Sequence, residues 1–432
     1  MWFALLLVAA VFATGAGAQG FRVLTGHGGP IQDVAVSADG RMALTASFDN
    51  SVGVWDLGAN SVRWLEGHEA AVKAVAFAGP GRAVSAGDDF IISLWDTASG
   101  ARLLRMAGHT AQIKGLAVSP DGTKLASASW DRTVRQWNLA TGALIGVLKG
   151  HEGPVNAVAY RGNDTLITAA SDGTIRSWNA NTGAQKQILV RHGFGVTCLL
   201  VSTAAGWLVY GAVDGGTRVV DLATGALLAD LTLGRRPVLD IAATSDFSQI
   251  AVGDGEGHIM VVDTAGWDIV HDFRAALRGP VWALAYSADG QSLLAGGIDD
   301  QAYFWPVGTR ADGPILATGA PGYRKPLEAM SNGERQFRRK CSICHSLAND
   351  GIRRAGPSLA GLFGRRAGSY PGYLYSDTVA KADIVWNAET IDALFDLGPE
   401  HYIPGTKMPA QRIANAADRA DLIAFLRENT EG

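Results

Sequence analysis

The stretch that decides the fold is Gly26–Asp56, GHGGPIQDVAVSADGRMALTASFDNSVGVWD. Within it, a strand-like run from Ile31 to Ser37 leads into a turn at residues 38–40 (Ala-Asp-Gly). A second turn at residues 48–50 (Phe-Asp-Asn) separates two further strand-like runs. Runs with a period of two residues, broken by Asp-Gly or Asp-Asn turns, are typical of β-hairpins. The stretch therefore predicts consecutive antiparallel strands.

The same pattern repeats along the first three quarters of the chain. Each copy begins with a pair that contains histidine, and successive histidines are 41, 41, 42 and 41 residues apart. These pairs are Gly26-His27, Gly67-His68, Gly108-His109, Gly150-His151 and the diverged Arg191-His192. A second marker trails each copy, at Trp55-Asp56, Trp95-Asp96, Trp137-Asn138, Trp178-Asn179, Val220-Asp221, Val262-Asp263 and Trp305-Pro306. A fixed period of this length is typical of repeat architectures, and seven units are predicted.

These markers resemble the WD40 repeat family over about residues 20–310. The resemblance implies an all-β, seven-bladed propeller in which each unit gives four antiparallel strands, and closure into a ring hides the sheet edges. Two segments, Phe21–Leu24 and Pro314–Ala317, both resemble the outer strand that begins each unit. We expect the N-terminal segment to close the ring and the other to lead into a linker.

The repeated histidines have two possible interpretations, as metal ligands or as structural groups. In the WD40 family this histidine belongs to a buried hydrogen-bond relay with a hydroxyl residue, an aspartate and the tryptophan of one blade. The hydroxyl and acidic partners are present at constant offsets from the Trp, as Thr45 and Asp49, Ser85 and Asp89, Ser127 and Asp131, and Thr168 and Asp172. Because unpaired polar groups are costly in a core, the structural role is favoured. Blades five to seven lack most of the relay, so apolar packing is expected to hold them together.

The chemistry is predicted to lie in the last hundred residues. Cys341-Ser342-Ile343-Cys344-His345 is a C-x-x-C-H haem-attachment motif. On a helical turn, two thiols at this spacing can each add to a haem vinyl group, and the adjacent histidine then lies beneath the iron. A zinc site would need a second ligand pair, and a redox disulfide would need a thioredoxin-like context. His401 is the only other His or Cys downstream, so a single covalent haem c is the favoured interpretation.

The surrounding sequence resembles class I (c2-like) cytochrome c over roughly residues 328–430. The resemblance is carried by Gly333 and Phe337 before the motif, by the loop at residues 356–365 (GPSLAGLFGR), by the loop at residues 402–408 (YIPGTKM), and by Leu422, Ile423, Phe425 and Leu426 near the end. It implies a small all-α domain in which His345 and Met408 are the axial iron ligands. The haem environment would be formed by Pro357, Arg365, Tyr375, Trp386 and Thr406. The Pro357 carbonyl would orient His345, and the others would be partners of the haem propionates.

Two features depart from that family. Leu394 and Phe395 occupy the region where a tyrosine often hydrogen-bonds the methionine sulfur, and Glu400 and His401 stand where mitochondrial members carry lysines. The basic docking ring is therefore thinner. A His/Met ligand pair raises the haem potential and leaves no open site for oxygen chemistry, which is typical of an electron carrier.

Composition and the N-terminal sequence indicate the cellular compartment of the protein. Residues 1–18 resemble a secretory signal, with an apolar run and a small-residue cleavage site at Ala16-Gly17-Ala18. Residues 19–310 are then the propeller, 311–325 a linker and 326–432 the cytochrome domain. The net charge of −4 argues against a nucleic-acid partner, and Cys198 is most simply a small core residue. We expect export to the periplasm of a Gram-negative-type bacterium, with no membrane segment after signal cleavage.

Three functional hypotheses follow. In the favoured one the protein carries single electrons rather than catalysing a reaction, and redox protein partners dock on the propeller, the haem edge or both. In the second, a catalytic site in the propeller would pass electrons to the cytochrome. In the third, the protein would be a redox-linked sensor or assembly factor. Turnover by the purified protein would separate the second from the first, and partner identification would separate the third.

Overall fold

The protein was analysed as a computed structural model, which describes residues 22–235, 237–276, 279–307, 329–342, 344–349, 351, 354–408 and 411–430. The predicted signal sequence, the predicted linker and the segment Pro314–Ala317 lie outside the described residues. Within the described part of the chain, no helix is long and apolar enough to cross a membrane.

Residues 22–306 form seven four-stranded antiparallel sheets, as the repeat predicts. The strands are β1 (Arg22–Thr25), β2 (Ile31–Val36), β3 (Met42–Ser47), β4 (Ser51–Asp56), β5 (Ser61–Glu66), β6 (Val72–Phe77), β7 (Arg82–Gly87), β8 (Ile91–Asp96), β9 (Arg102–Ala107), β10 (Ile113–Val118), β11 (Lys124–Ser129), β12 (Thr133–Asn138), β13 (Leu144–Lys149), β14 (Val155–Arg161), β15 (Thr165–Ala170), β16 (Thr174–Asn179), β17 (Gln185–Arg191), β18 (Val196–Ser202), β19 (Trp207–Ala212), β20 (Thr217–Asp221), β21 (Leu227–Asp230), β22 (Val238–Ala243), β23 (Gln249–Asp254), β24 (His258–Asp263), β25 (Asp268–Arg274), β26 (Val281–Tyr286), β27 (Ser292–Gly297) and β28 (Gln301–Pro306).

Blades 1 to 6 take four consecutive strands each, beginning with β2, and blade 7 is completed from the other end of the repeat region. The N-terminal strand β1 pairs antiparallel with β28, with Arg22 opposite Phe304 and Thr25 opposite Gln301. The expectation that the N-terminal strand closes the ring is confirmed. The ring is thereby clasped by both ends of the propeller sequence, which leaves fewer unpaired edges than an open sheet would.

The predicted relay is present in blades 1 to 4. In blade 1, His27 Nδ1 lies 2.9 Å from Asp49 Oδ2 and its Nε2 lies 2.6 Å from Thr45 Oγ1, while Trp55 Nε1 donates to the same hydroxyl at 2.8 Å. The other three blades repeat these contacts through His68, His109 and His151. The structural interpretation of these four histidines is confirmed.

Blades 5 and 6 are stabilised by polar contacts that differ from the relay. His192 turns its ring so that Nε2, rather than Nδ1, lies 2.9 Å from the blade 5 aspartate, Asp214. In blade 6, Arg235 donates to Asp254 at 2.7 Å and to both carboxylate oxygens of Asp272 at 2.7 and 2.8 Å. Apolar packing was expected to be the main interaction in these blades, and the structure adds these polar contacts to the apolar clusters. In blade 5 both partners occupy repeat positions, His192 as the repeat histidine and Asp214 as the repeat aspartate. In blade 6 the partners Arg235, Asp254 and Asp272 lie outside the repeat pattern, and strand register brings them together.

The C-terminal region is a small all-α domain. Its helices are α1 (Asn332–Lys340), α2 (Asp377–Lys381), α3 (Ala388–Leu397), α4 (Pro399–Tyr402) and α5 (Ala416–Thr430). Helices α1 and α5 cross at Gly333, where an added Cβ would lie 2.1 Å from the backbone oxygen of Asp421 and 2.7 Å from Phe425 Cβ. Only glycine allows this approach, because any side chain would collide with the facing backbone. The fold class predicted from the sequence is confirmed in both parts of the chain.

Candidate functional site

The motif Cys341–His345 lies on the turn that follows α1. The helix begins after Ser331, whose hydroxyl accepts a hydrogen bond from the Glu334 amide at 3.1 Å. Beyond its last residue, the amides of Cys344 and His345 both donate to the Cys341 carbonyl, at 3.0 and 2.9 Å. The turn is therefore closed by its own backbone, and both cysteines are free thiols rather than a disulfide.

The imidazole of His345 is held from one side by the loop that follows the motif. Its Nδ1 lies 2.7 Å from the carbonyl oxygen of Pro357. Burial lowers the pKa of His345, and the contact with Pro357 offsets part of that effect. A neutral ring that donates from Nδ1 keeps a lone pair on Nε2, which is the form that binds a metal.

Gly356 sets how closely that loop approaches the ring. A Cβ at this position would lie 2.3 Å from His345 Cε1 and 2.7 Å from Nδ1. Such distances are far inside van der Waals contact, so the absence of a side chain lets the backbone lie flat against the imidazole. The Gly-Pro pair of the predicted loop thus has two separate roles. Gly356 leaves space for the His345 ring, and the Pro357 carbonyl accepts the hydrogen bond from that ring.

A cavity of about 480 Å³ opens beside this histidine. All nine predicted site residues line it: Cys341, Cys344, His345, Pro357, Arg365, Tyr375, Trp386, Thr406 and Met408. Apolar side chains such as Leu359, Leu394 and Phe395 supply much of the remaining wall. The tertiary structure therefore brings together residues that are spread over 68 positions of sequence, from Cys341 to Met408.

Polar groups on the cavity wall are arranged mainly around Arg365. Its guanidinium donates to the carbonyls of Ser358 and Ala360, each at 2.8 Å, and lies 5.0 Å from the ring centroid of Tyr370. Burial lowers the pKa of Arg365. The Tyr375 hydroxyl accepts a hydrogen bond from the Tyr370 amide at 3.3 Å, so these three residues form one connected group.

Ser376 lies on the same wall, and its role was missed in the sequence. It is the residue before α2, yet its side chain makes no capping hydrogen bond. Its Oγ is buried and has no hydrogen-bond partner among the described residues. A buried hydroxyl without a partner is costly, which indicates that a polar group of a bound molecule satisfies it. No spacing or pattern in the sequence singles out this serine.

Residues 330–430 match the family profile described as cytochrome c. The chain is 40% identical over 102 residues to a cytochrome c from Gibberella zeae, which covers 24% of this chain and 95% of that protein. It is 42% identical over 107 residues to a cytochrome c from Sesamum indicum, with 24% of this chain and 94% of that protein covered. The relatives are thus matched almost over their whole length.

Through its C-terminal domain, the chain belongs to the cytochrome c family.

WD40 repeats lie in the N-terminal region of the chain. The profile described as WD domain, G-beta repeat, matches residues 19–56, 59–96, 100–138, 142–179 and 267–306. The unmatched interval covers blades 5 and 6, where the relay is replaced by the contacts of His192 and Arg235. The protein is a WD40 propeller followed by a cytochrome c domain.

Membership of the cytochrome c family brings a covalently attached haem c. The cavity of the cytochrome c domain fits this group on three observations. Two free thiols lie on one backbone turn, an imidazole is fixed at Nδ1, and the buried Ser376 hydroxyl on the largely apolar wall has no partner among the described residues. The cytochrome c domain indicates a role in electron transfer, and the WD40 propeller indicates interaction with proteins.

Proposed function

We propose that the protein is a periplasmic carrier of single electrons, in which His345 and Met408 ligate the haem iron and Cys341 and Cys344 hold the haem covalently. The observation that carries this proposal is that all four residues line one cavity whose ligand imidazole is already oriented. A haem iron with two protein ligands takes up and releases one electron without binding substrate.

The two cysteines anchor the group where α1 ends. Both thiols are shielded from solvent to different degrees, with Cys341 buried and Cys344 partly exposed. Burial raises the pKa of the Cys341 thiol to about 12 and that of Cys344 to about 11. Neither thiol is therefore a ready thiolate at neutral pH, which favours a role as an attachment point over a role as a redox or nucleophilic pair.

Met408 supplies the second axial position in this proposal. It is partly buried against the core of the cytochrome c domain, and its amide donates to Thr406 Oγ1 at 3.2 Å. The neighbouring Lys407 donates from Nζ to the carbonyl of Leu374 at 2.9 Å. These two hydrogen bonds hold the segment that leads into the methionine, which helps to keep its thioether in place during oxidation and reduction.

The haem propionates would meet the polar group around Arg365. We propose that Arg365, Tyr375 and Trp386 are their partners, together with Thr406 and the orphaned hydroxyl of Ser376. A buried carboxylate needs donors or a positive charge. The guanidinium supplies that charge from a position fixed by two backbone carbonyls.

The propeller would present the domain to its redox partners after export under the signal sequence at residues 1–18. Its seven blades give a rigid ring, and propellers of WD40 repeats use their exposed loops as docking surfaces. The apolar run and the small-residue site Ala16-Gly17-Ala18 support export to the periplasm.

The test is to make the full chain in cells that carry the haem-ligation machinery. We expect equal molar iron and protein, haem that stays bound in a denaturing gel, and a reversible titration that fits one electron. We also expect the protein in the periplasmic fraction with its N-terminus beyond Ala18. A colourless protein, or one that retains its first eighteen residues in the cytoplasmic fraction, would contradict the proposal.

A further inference from the structure

The wall of the haem cavity is completed by the propeller. Five residues of blades 1 and 2 line it alongside the cytochrome c domain: Phe48, Asn50, Ala70, Ala71 and Asp88. They lie on loops at one face of the ring, next to the relay residues Asp49 and His68. Lys340 and Gln411 of the cytochrome c domain line the same cavity. Without the propeller, this part of the cavity would be open to solvent.

The exposure of one structurally equivalent residue differs among the blades. The first residue after the second strand of each blade is about half exposed in blades 3, 5 and 7, at 45% for Trp130, 45% for Val213 and 47% for Ile298. The same position in blades 1 and 2 is partly buried, at Phe48 and Asp88. The burial of Phe48 and Asp88 accords with a domain that lies on blades 1 and 2, and Lys73 of blade 2 contacts both residues as well. Gly255, at the same position of blade 6, is also partly buried.

Charges on the two sides are complementary. Lys407 lines the cavity, and the carboxylates of Glu69 and Asp89 in blade 2 act on its charge. Burial raises the pKa of Asp300 in blade 7, and the positive charge of Arg354 from the cytochrome c domain opposes that rise. The propeller therefore offers acidic groups to basic groups around the cavity, an arrangement that favours docking in one orientation.

We propose that the face of blades 1 and 2 is a lid docked over the mouth of the haem cavity, and that it must lift before another redox protein can reach the haem edge. The proposal rests on the proposed function, since it places the haem in this cavity. In this proposal the propeller both binds partner proteins and limits their access to the haem. Small reductants enter past the lid, whereas a protein-sized reductant does not.

The first test is a charge reversal with a matched control. Glu69 and Glu152 both follow a relay histidine, are both exposed, and donate their amides to the relay aspartate at 3.1 and 2.9 Å. Only Glu69 lies by Lys407. Glu69→Lys should raise the rate of reduction by a reduced flavodoxin several-fold while leaving reduction by ascorbate nearly unchanged. Glu152→Lys should behave as the unmodified chain does.

The second test adds bulk at the contact and uses a readout that does not depend on electron transfer. Ala70→Arg places a long side chain against the cytochrome c domain, and Ala111→Arg is the same change at the same loop position of blade 3. Hydrogen–deuterium exchange of the segments 403–408 and 340–345 should rise in Ala70→Arg and stay unchanged in Ala111→Arg. High salt should reproduce the effect in the unmodified chain, because it screens the charges between the domains.

The outcomes separate the lid from the proposed function. If both blade 2 variants match their controls in exchange and in flavodoxin kinetics, the lid proposal is wrong. If the chain lacks bound haem but exchange still rises in Ala70→Arg, the contact between the domains stands and the electron-transfer proposal fails. Unfolding followed by tryptophan fluorescence shows whether each variant keeps a folded propeller.

Discussion

His345 Nδ1 lies 2.7 Å from the carbonyl oxygen of Pro357, and this pair ties the attachment motif to a loop twelve residues further along the chain. The contact fixes which ring nitrogen is left for the iron. The acceptor that orients this ligand is therefore supplied by the protein backbone.

Substitution of both thiols should remove the haem without unfolding the propeller. In the double variant Cys341→Ser, Cys344→Ser we expect no haem stain in a denaturing gel, because no thioether can form. The propeller has its own apolar clusters and should keep its cooperative thermal transition. Cys198→Ser is the control, since that thiol lies within the core of blade 5 and should leave the stain unchanged. Loss of both transitions in the double variant would contradict the two-domain description.

Replacement of the second axial ligand should change the spectrum but keep the haem. Met408→Leu preserves side-chain volume, so the domain should fold and retain covalent haem. The far-red absorption band of the iron–thioether bond should disappear, and the midpoint potential should fall because the thioether favours reduced iron. Met330→Leu is the matched control, at a buried methionine outside the cavity wall. A band that survives in Met408→Leu would exclude this residue as the ligand.

A side chain at Gly356 should disturb the iron through His345. Gly356→Ala would place Cβ 2.3 Å from His345 Cε1, so the loop or the imidazole must shift. Overpacking of this kind costs about 1–3 kcal/mol of unfolding free energy. We also expect a changed Soret spectrum, which a stability effect alone would not give. Gly146→Ala is the control, because an added Cβ there meets no atom within 4 Å. Equal unfolding free energies for the two variants would contradict this account of the glycine.

Two buried carboxylates should make the propeller less stable as the pH rises. Burial raises the pKa of Asp33 to about 7, with a contribution from the nearby charge of Asp240, and burial raises the pKa of Asp240 to about 6. Lys114 opposes both shifts. Because the folded state binds these protons more tightly than the unfolded state, their contribution is full below about pH 4 and is lost by about pH 7.

The measurement is the free energy of unfolding in urea from pH 4 to pH 8. Each unit of pKa shift corresponds to about 1.4 kcal/mol of unfolding free energy. Asp33→Asn should therefore reduce the loss of unfolding free energy between pH 4 and pH 7 by a few kcal/mol at most. An asparagine keeps an oxygen that can accept the hydrogen bond from the Val75 amide, which Asp33 accepts at 2.8 Å. Below about pH 4 the relay carboxylates act in the opposite sense. Burial raises the pKa values of Asp49 and Asp172, but His27 and Ser51 around Asp49, and Thr174 and His151 around Asp172, outweigh burial and hold both pKa values at about 2. Parallel curves for the two proteins between pH 4 and pH 7 would contradict the assignment.

Features that depend on short stretches of chain were predictable from the sequence. The spacing of Cys341, Cys344 and His345 acts within one backbone turn, so the pattern already contains the geometry. The repeat of blades 1 to 4 is equally local, because each relay joins residues within about thirty positions of one another. The loop residues Pro357 and Met408 came from the resemblance to cytochrome c, and the structure places both on the cavity wall.

The sequence by itself determined the number of blades, the attachment motif and the class of the C-terminal domain, since each is encoded by a local or periodic pattern. Only the tertiary structure decided that β1 closes the ring on β28, that Arg235 bridges Asp254 and Asp272, and that Ser376 faces the cavity. It also decided that blades 1 and 2 cover the cavity mouth. The physical reason is that these contacts join groups far apart in the chain, whose approach depends on strand register and on the packing of one domain against the other.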